Sequence, residues 1–343
     1  MHPNWKKIAV SLIKFAIPLA IITFLLVRID DEDWDALYQQ PKNYILLATA
    51  LLVSIMAMSL SFARWCVLVR AQGIQLSMLE AFRLGSIGFL LSFVSAGSVG
   101  GDLFKAIFLA NRRPGKRVEA VASVFVDRGV GLYGLLILVS VGLLMRSSGG
   151  LEAAGQDAVQ DIDKIKTATT VLVGIGTAVL AVLVLGGKSV DSLIRWGGTL
   201  PGIGSLVQRI GQPLRMFHHH PIAFGVSILM SLGVQSLLVI SMYFVARGLY
   251  ENPPTLAEHF VIVPIGMLAS ALPITPAGLG VLELAIEWLY KVVPAVTTKA
   301  SGTLVALVFE MVKIVMAVIG TVFYWTAGAE VRQSIESAEQ ETS

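Results

Sequence analysis

The sequence predicts an all-α fold, a polytopic integral membrane helical bundle, and its composition is the first reason. Of the 343 residues, 55% are hydrophobic and 14% are charged, whereas soluble domains contain about 25% charged residues. A single soluble core of this length could not bury so much apolar surface. The apolar residues also form long continuous segments, without the alternating hydrophobicity that is typical of membrane-barrel strands.

Six of these segments are predicted to cross the membrane as helices, because a span needs about 20 mostly apolar residues. They are residues 8–28, 44–66, 118–144, 167–186, 221–246 and 299–326. The first segment continues into Arg28 and an acidic stretch, and it lacks a small-residue cleavage site. We therefore interpret it as a retained helix rather than a secretory signal peptide.

Two further hydrophobic segments, 78–111 (hairpin 1) and 255–291 (hairpin 2), are each interrupted near the middle. Their halves are too short to cross, so we predict that each segment is a re-entrant pair of half-helices. Non-helical backbone at this depth is tolerated only where protein or a wet cavity surrounds it. An ordinary bundle of kinked spans is the alternative. Glycines and prolines mark the predicted tips, namely Gly97, Gly100 and Gly101 in hairpin 1 and Pro273, Pro276, Gly278 and Gly280 in hairpin 2.

The same order of elements occurs twice, as two spans, a hairpin and a third span, and the two copies start on opposite sides. This order predicts an inverted repeat within one domain, residues 1–330, with repeat A at about 8–144 and repeat B at about 167–326. Residues 331–343 would form a polar cytoplasmic tail. Interruptions at matching positions of two halves indicate a transport site near the membrane midplane.

Positively charged segments set the predicted orientation. Lys6 and Lys7 precede the first span, and basic residues recur in 112–117 and 188–220, whereas 30–35 is acidic. The basic segments are expected in the cytoplasm, which places both termini there. We therefore predict a multi-pass protein of the cytoplasmic (inner) cell membrane.

Hairpin 1 contains the first charged candidates for substrate binding, Asp102 and Lys105, directly after Gly100 and Gly101. Asp102 is expected to cap the second half-helix, and Lys105 lies on the same face three residues later. The amide end of a helix beside a lysine suits a phosphate oxygen. The alternative is a structural cap beside a lysine that snorkels or is paired internally.

The span 118–144 contains Asp127 and Arg128 in its interior. Because each charge costs about 2.5–3.5 kcal/mol at this depth, both should face the bundle interior or a cavity. We interpret Arg128 as a head-group contact and Asp127 as its orienting partner. A structural ion pair between helices is the alternative.

In the second half, Thr275 and Pro276 are predicted as the first positions of a half-helix that contains Glu283 about two turns in. Glu310 and Lys313 lie three residues apart in the last span and could pair. A buried glutamate can change protonation during a transport cycle, so Glu283 and Glu310 are candidates for proton coupling. Structural hydrogen bonds or ion pairs explain the same residues equally well.

Arg64 is a further candidate for lipid binding, although its place before Trp65 at the end of span 44–66 favours an interfacial anchor. No cofactor or metal is expected, because the adjacent histidines at 218–220 cannot all converge on one ion. A phosphate-binding Gly-x-x-x-x-Gly-Lys-Ser/Thr motif is absent from the sequence. The net charge of +3 without a basic tract argues against nucleic-acid binding, and the lone Cys66 excludes an internal disulfide.

Taken together, these motifs resemble the transmembrane, flippase-like domain of lysylphosphatidylglycerol synthases over about residues 8–326. The resemblance is carried by Arg64-Trp65, Gly100-Gly101-Asp102-x-x-Lys105, Ser123-Val-x-x-Asp127-Arg128-x-x-Gly131-Leu132 and Pro273-x-x-Pro276-x-Gly278-x-Gly280-x-x-Glu283. Hairpin 1 departs from the family pattern, which often has a proline before Gly-Gly where this chain has Ser95-Ala-Gly-Ser. The resemblance implies transfer of an anionic or aminoacylated phospholipid, or another lipid-linked polar head, between leaflets.

The resemblance makes a lipid flippase the expected function, with an anionic phospholipid or a polyprenyl-phosphate-linked lipid as the expected partner. In the full synthases a separate soluble domain transfers the amino acid. This chain is expected to lack that domain, so it is not expected to make lysyl-lipid or to be an enzyme. Some stand-alone relatives are described as polyprenyl- or dolichyl-phosphate sugar synthases, which keeps a glycosyl- or aminoacyl-lipid transferase as an alternative. A scaffold for a separate synthase is a further alternative. The sequence does not indicate an oligomeric state.

Overall fold

The computed structural model of the chain describes residues 38–94, 100–145, 156–185, 220–271 and 280–326, with isolated positions in 23–35 and 192–199. These continuous ranges contain nine α-helices and a short 3₁₀ turn at Pro114–Lys116, and they contain no strand, which confirms the all-α fold. In chain order the helices are α1 Tyr44–Ala71, α2 Met78–Val94, α3 Gly100–Arg112, α4 Arg117–Met145, α5 Gln156–Leu185, α6 Pro221–Leu249, α7 Leu256–Ser270, α8 Val281–Val292 and α9 Gly302–Trp325.

Five of the described helices are long and apolar enough to cross a membrane, namely α1, α4, α5, α6 and α9. They coincide with five of the six predicted spans and confirm them, and the chain is a multi-pass membrane protein. The remaining predicted span, 8–28, lies outside the described residues. The starts of these helices follow ordinary capping rules: Asn43 accepts a hydrogen bond from the Leu46 N–H at 3.1 Å, and Pro221 stands in the first turn of α6.

Both predicted helix–break–helix segments are confirmed, since hairpin 1 consists of α2 and α3 and hairpin 2 of α7 and α8. These four helices have 12 to 17 residues. That corresponds to about 18–26 Å, which is short of the roughly 30 Å hydrocarbon core. The tip residues Gly97, Pro273, Pro276 and Gly278 lie outside the described residues, and re-entry from one face of the membrane stays a prediction.

Each hairpin is antiparallel. In hairpin 1, Arg112 Nη1 donates to Glu80 Oε1 at 2.5 Å at the open end, and near the tip the Gly101 backbone lies against the Gly88 carbonyl. A Cβ at position 101 would lie 2.0 Å from that carbonyl oxygen, so this approach requires glycine. In hairpin 2, the backbone N–H of Ala295 donates to Glu258 Oε1 at 2.8 Å across the open end.

The two predicted repeats pack against each other reciprocally. The second spans of the repeats, α1 and α6, share the largest interface between described helices. Helix α2 of hairpin 1 packs on α9, the last span of repeat B, while α7 of hairpin 2 packs on α4, the last span of repeat A. A glycine permits each contact: Gly320 faces the Ser86 carbonyl, and Gly142 faces the Phe260 carbonyl. An exchange of two related halves would produce this pattern, and the inverted orientation of the repeats stays a prediction.

The start of α8 corrects one prediction. The helix begins at Val281 with Gly280 as its N-cap, so Thr275 and Pro276 are not its first positions. Gly280 has a φ of 86°, which glycine adopts without strain. Glu283 therefore lies in the first turn of α8 rather than two turns in, and its side chain is fully buried, as expected.

Candidate functional site

A cavity of about 350 Å³ lies between hairpin 1 and the spans α1, α4 and α6, with the end of α7 in its wall. Charged and uncharged polar side chains line it among apolar ones. The charged ones are Arg64, Lys105, Asp127 and Arg128, and the uncharged ones are Ser61, Ser92, Gln235 and Ser270. Because ionisable groups inside a membrane bundle are costly, their convergence on one cavity marks it as the candidate site.

Arg64 and Asp127 form a buried ion pair on one wall. Arg64 Nε donates to Asp127 Oδ1 at 2.8 Å, and Arg64 Nη1 donates to Ser231 Oγ at 3.0 Å. Ser231 in turn donates to the Val130 carbonyl at 3.0 Å. Arg64 is only 5% exposed, so its interpretation as an interfacial anchor is wrong. This pair joins α1 to α4, and its charges are already satisfied within the protein.

Asp102 accepts from two cations of the cavity wall. Lys105 Nζ donates to Asp102 Oδ1 at 3.3 Å, and Arg128 Nε donates to Asp102 Oδ2. The side chain of Asp102 therefore bridges α3 to α4, and it does so from within the first turn of α3 rather than as the predicted cap. Arg128 pairs with Asp102 and Asp127 pairs with Arg64, so the predicted partnership of the neighbours Asp127 and Arg128 is not observed.

Lys105 has few partners for its charge. An ammonium carries three N–H donors, and among the described residues Asp102 is the one acceptor bonded to it. Its nitrogen also lies 5.3 Å from the centre of the Trp65 ring, a distance at which the aromatic face attracts a cation. The side chain is 13% exposed and lines the cavity. An anion that entered could bind Lys105 without breaking the buried Arg64–Asp127 pair.

Arg128 is the most accessible of the charged groups. Its side chain is 58% exposed, while its partner Asp102 is 13% exposed. A guanidinium has five N–H donors in a planar fork that matches phosphate oxygens, and the recorded bond to Asp102 uses one of them. Lys105 and Arg128 thus share one carboxylate, and both can turn donors towards a phosphate.

Gln235 and two serines add acceptors to the wall. Gln235 Nε2 donates to the Gly131 carbonyl at 3.4 Å, while its Oε1 has no hydrogen-bond partner among the described residues. Ser92 donates to the Gly88 carbonyl at 3.0 Å, and Ser270 donates to the Met267 carbonyl at 2.9 Å. These side chains were not predicted from the sequence, because a single polar residue in an apolar segment is only a weak indication of a binding site.

The remaining predicted site residues lie elsewhere or outside the description. Glu283 and Glu310 are buried, but neither is among the described residues that line the cavity. The side chain of Lys313 lies outside the description, so the Glu310–Lys313 pair stays a prediction. Within the part of the chain that the structure describes, no cluster of metal-binding side chains occurs, and His218 and His219 lie outside it.

Comparison with known proteins gives a family and a distant relative. The family model described as "Lysylphosphatidylglycerol synthase TM region" matches residues 8–320. The protein "Glycosyltransferase AglD" of Haloferax volcanii is 27% identical over 247 residues, which cover 65% of this chain. The match covers 39% of that relative, so the chain spans well under two thirds of the relative's length.

Proposed function

Because the chain belongs to the lysylphosphatidylglycerol synthase TM region family, we propose that it moves a lipid with a phosphate-bearing head group between membrane leaflets. The head group passes through the cavity beside hairpin 1 while the acyl or prenyl tails stay in the bilayer. In this proposal Lys105 and Arg128 bind the phosphate, and Asp102 holds both cations when the cavity is empty.

The observation that carries the proposal is the shared carboxylate. Asp102 bridges Lys105 and Arg128 on the cavity wall. Lys105 and Arg128 each have N–H donors beyond the one that Asp102 accepts, so a phosphate can bind both cations while Asp102 stays paired with them. The carboxylate and the two cations are therefore paired in the occupied and in the empty cavity, which a carrier needs in order to release its cargo.

The repeats supply the movement in this proposal. A carrier opens its site to one leaflet and then to the other, usually by rocking one repeat against the other. The α1–α6 interface joins the two repeats, and the cavity lies beside it. We place the protein in the cytoplasmic membrane with both termini in the cytoplasm, following the distribution of basic segments.

A membrane-embedded glycosyl- or aminoacyl-lipid transferase is the second candidate. The observation in its favour is the name of the relative from Haloferax volcanii, a glycosyltransferase. A scaffold that recruits a separate synthase is the third, and for it Lys105 and Arg128 would be dispensable. Turnover that requires a soluble donor would favour the transferase over the carrier.

The test is a leaflet-accessibility assay in reconstituted vesicles. Head-labelled phosphatidylglycerol, lysyl-phosphatidylglycerol and polyprenyl phosphate are compared for wild type, Lys105→Ala and Arg128→Ala, with folding checked by thermal unfolding. Protein-dependent movement of a lipid that is lost in the folded variants supports the proposal. Absence of movement for every lipid, or undiminished movement in both variants, overturns it.

A further inference from the structure

Among the described residues, the charges that line the cavity or pair with its lining sum to one positive unit. Three cations, Arg64, Lys105 and Arg128, face or contact two carboxylates, Asp102 and Asp127. The hairpin tips at 95–99 and 272–279, whose structure is not described, contain no charged residue in the sequence. The count is therefore not altered by the tips.

A single excess positive charge matches a head group with a single negative charge. Uncompensated charge is costly inside a membrane bundle, where the effective dielectric constant is low. A phosphodiester neutralises the cavity. A phosphate monoester with two negative charges would leave the cavity with one excess negative charge. A lysyl-phosphatidylglycerol head, with two ammonium groups and one phosphate, would raise the positive excess.

The uncharged part of the wall accepts hydrogen bonds. The hydroxyls of Ser92 and Ser270 donate to backbone carbonyls of their own helices, which leaves their oxygen lone pairs as acceptors. The Gly131 carbonyl accepts a hydrogen bond from Nε2 of Gln235. The buried Oε1 of Gln235 has no hydrogen-bond partner among the described residues. An apolar head group would leave these acceptors unpaired, whereas hydroxyl groups on the head would pair them.

We infer that the cavity selects a lipid whose head joins one phosphodiester to an uncharged, hydroxyl-bearing group such as glycerol or a sugar. This inference rests on the proposed function and narrows its substrate class. The phosphodiester binds Lys105 and Arg128, and the hydroxyl groups bind Gln235, Ser92 and Ser270. Aminoacylated lipids and phosphate monoesters are the lipids that it excludes.

The test uses lipids that differ in one property at a time. Phosphatidylglycerol and phosphatidylmethanol have the same charge but differ in hydroxyl groups, and phosphatidic acid and lysyl-phosphatidylglycerol change the charge. A polyprenyl-phosphate hexose presents the same chemistry as phosphatidylglycerol on a different tail. Movement between leaflets is measured in vesicles, and binding is measured separately by native mass spectrometry.

The inference predicts that phosphatidylglycerol or the polyprenyl-phosphate hexose moves about tenfold faster than the other three lipids, a factor that corresponds to about 1.4 kcal/mol. The lipid of these two that the protein moves identifies the source of the head group. Equal or faster movement of lysyl-phosphatidylglycerol or phosphatidic acid overturns the inference and leaves the proposed function standing. Movement of no lipid overturns the proposed function as well.

Two variants and a control test separately whether the cavity selects the charge of the head group and whether it selects its hydroxyl groups. Asp102→Asn raises the excess to two positive charges and should shift relative binding towards phosphatidic acid by about tenfold. Asp161→Asn, which removes an exposed carboxylate on α5, should leave the ratio unchanged. Gln235→Leu keeps the charge and should abolish the preference for phosphatidylglycerol over phosphatidylmethanol. An unchanged preference in folded Gln235→Leu contradicts the hydroxyl match.

Discussion

Hairpin 1 and hairpin 2 occupy matching places in the order of elements, yet their polar groups have different partners. In hairpin 1, Lys105 lines a cavity and pairs with Asp102, which also pairs with Arg128 of another helix. In hairpin 2, Glu283 Oε2 accepts the backbone N–H of Gly280 at 2.7 Å, a bond that stays within the start of its own helix.

Hairpin 2 also contains a buried histidine–tyrosine pair. His259 Nδ1 lies 2.9 Å from the Thr255 carbonyl. A carbonyl only accepts, so Nδ1 carries the hydrogen, and Nε2 accepts from the Tyr290 hydroxyl at 2.8 Å. Since His259 is on α7 and Tyr290 on α8, the pair joins the two halves of the hairpin.

Under the proposed function, this difference separates the roles of the two hairpins. Polar groups that satisfy one another, as in hairpin 2, hold a fold together. Cations that share one carboxylate beside a cavity, as in hairpin 1, can accept an anion. In the proposed function, substrate binding therefore belongs to hairpin 1 and anchoring to hairpin 2. The following variants test this division and are ordered by the size of the expected effect.

Loss of Asp127 should have the largest effect. Asp127→Asn leaves the buried Arg64 without its carboxylate, and breaking a buried pair costs about 3–5 kcal/mol. Chemical or thermal unfolding in detergent measures this cost. The matched control is Asp161→Asn, which breaks the exposed pair with Lys164 and should cost at most about 1 kcal/mol. Equal costs for the two variants would show that the Arg64–Asp127 pair is not structural.

Loss of Lys105 should affect transport rather than folding. Lys105→Met keeps the side-chain length but removes a charged donor worth about 1.5–3 kcal/mol, so lipid movement should fall between about tenfold and about a hundredfold. Lys291→Met in hairpin 2 removes a lysine that is 72% exposed and paired with Glu287, and it should leave movement unchanged. Loss of movement in Lys291→Met alone would reverse the assignment of the hairpins.

The two hairpins should differ in their tolerance of an added methyl group at a closely packed glycine. Gly101→Ala places Cβ 2.0 Å from the Gly88 carbonyl oxygen, backbone against backbone, and should cost about 1–3 kcal/mol. Gly266→Ala in hairpin 2 meets the Ile286 side chain at 2.6 Å, which can move, so it should cost less. Gly129→Ala has open space around it and serves as the control. Thermal unfolding of the three variants ranks them, and the reverse order for positions 101 and 266 would contradict the packing.

Removal of the Tyr290 hydroxyl should weaken hairpin 2 without affecting transport. Tyr290→Phe leaves His259 Nε2 buried and unpaired, which costs about 1–3 kcal/mol. The unfolding temperature should fall while the rate of lipid movement in vesicles stays at the wild-type value. A loss of movement in folded Tyr290→Phe would give hairpin 2 a part in binding.

The smallest effect is expected at the open end of hairpin 1. The backbone N–H of Ser77 and the Arg112 guanidinium lower the pKa of Glu80 from 4.5 to about 2. Because the folded-state pKa is the lower one, this stabilisation is complete above the ordinary pKa and is lost as pH falls towards about 2. Glu80→Gln should therefore lower the unfolding temperature slightly at neutral pH, and the difference from wild type should shrink as the pH falls from 4.5 towards about 2. A difference that is independent of pH would contradict an ionic contribution.

The sequence predicts the spans and hairpins well because long apolar segments and their interruptions are local features. It predicts the partners of the charges poorly, because partners are set by packing between helices. Asp127 and Arg128 are neighbours in sequence, but adjacent residues of a helix do not face each other. They therefore pair with Arg64 and Asp102, on two different helices.

Arg64 and Gln235 are two further residues whose positions depend on packing between helices and were therefore not predicted from the sequence. The predicted span ended at 66, which made Arg64 a terminal anchor, but α1 continues to Ala71 and places Arg64 inside the bundle. Gln235 was not predicted because a single amide in an apolar helix gives no sign of which neighbour it faces. Its place at the cavity follows from the packing of α6 on α1 and α4.

The most direct test of the account is protection of a cavity thiol by lipid. Ser61 lines the cavity, and Cys66 is the single cysteine of the chain, so Ser61→Cys in a Cys66→Ala background gives one thiol there. Its reaction with a water-soluble thiol reagent is timed in phosphatidylcholine vesicles with and without phosphatidylglycerol. The account predicts that phosphatidylglycerol slows the reaction, and that adding Lys105→Met removes this protection while the thiol still reacts. Equal protection with and without Lys105 would contradict it.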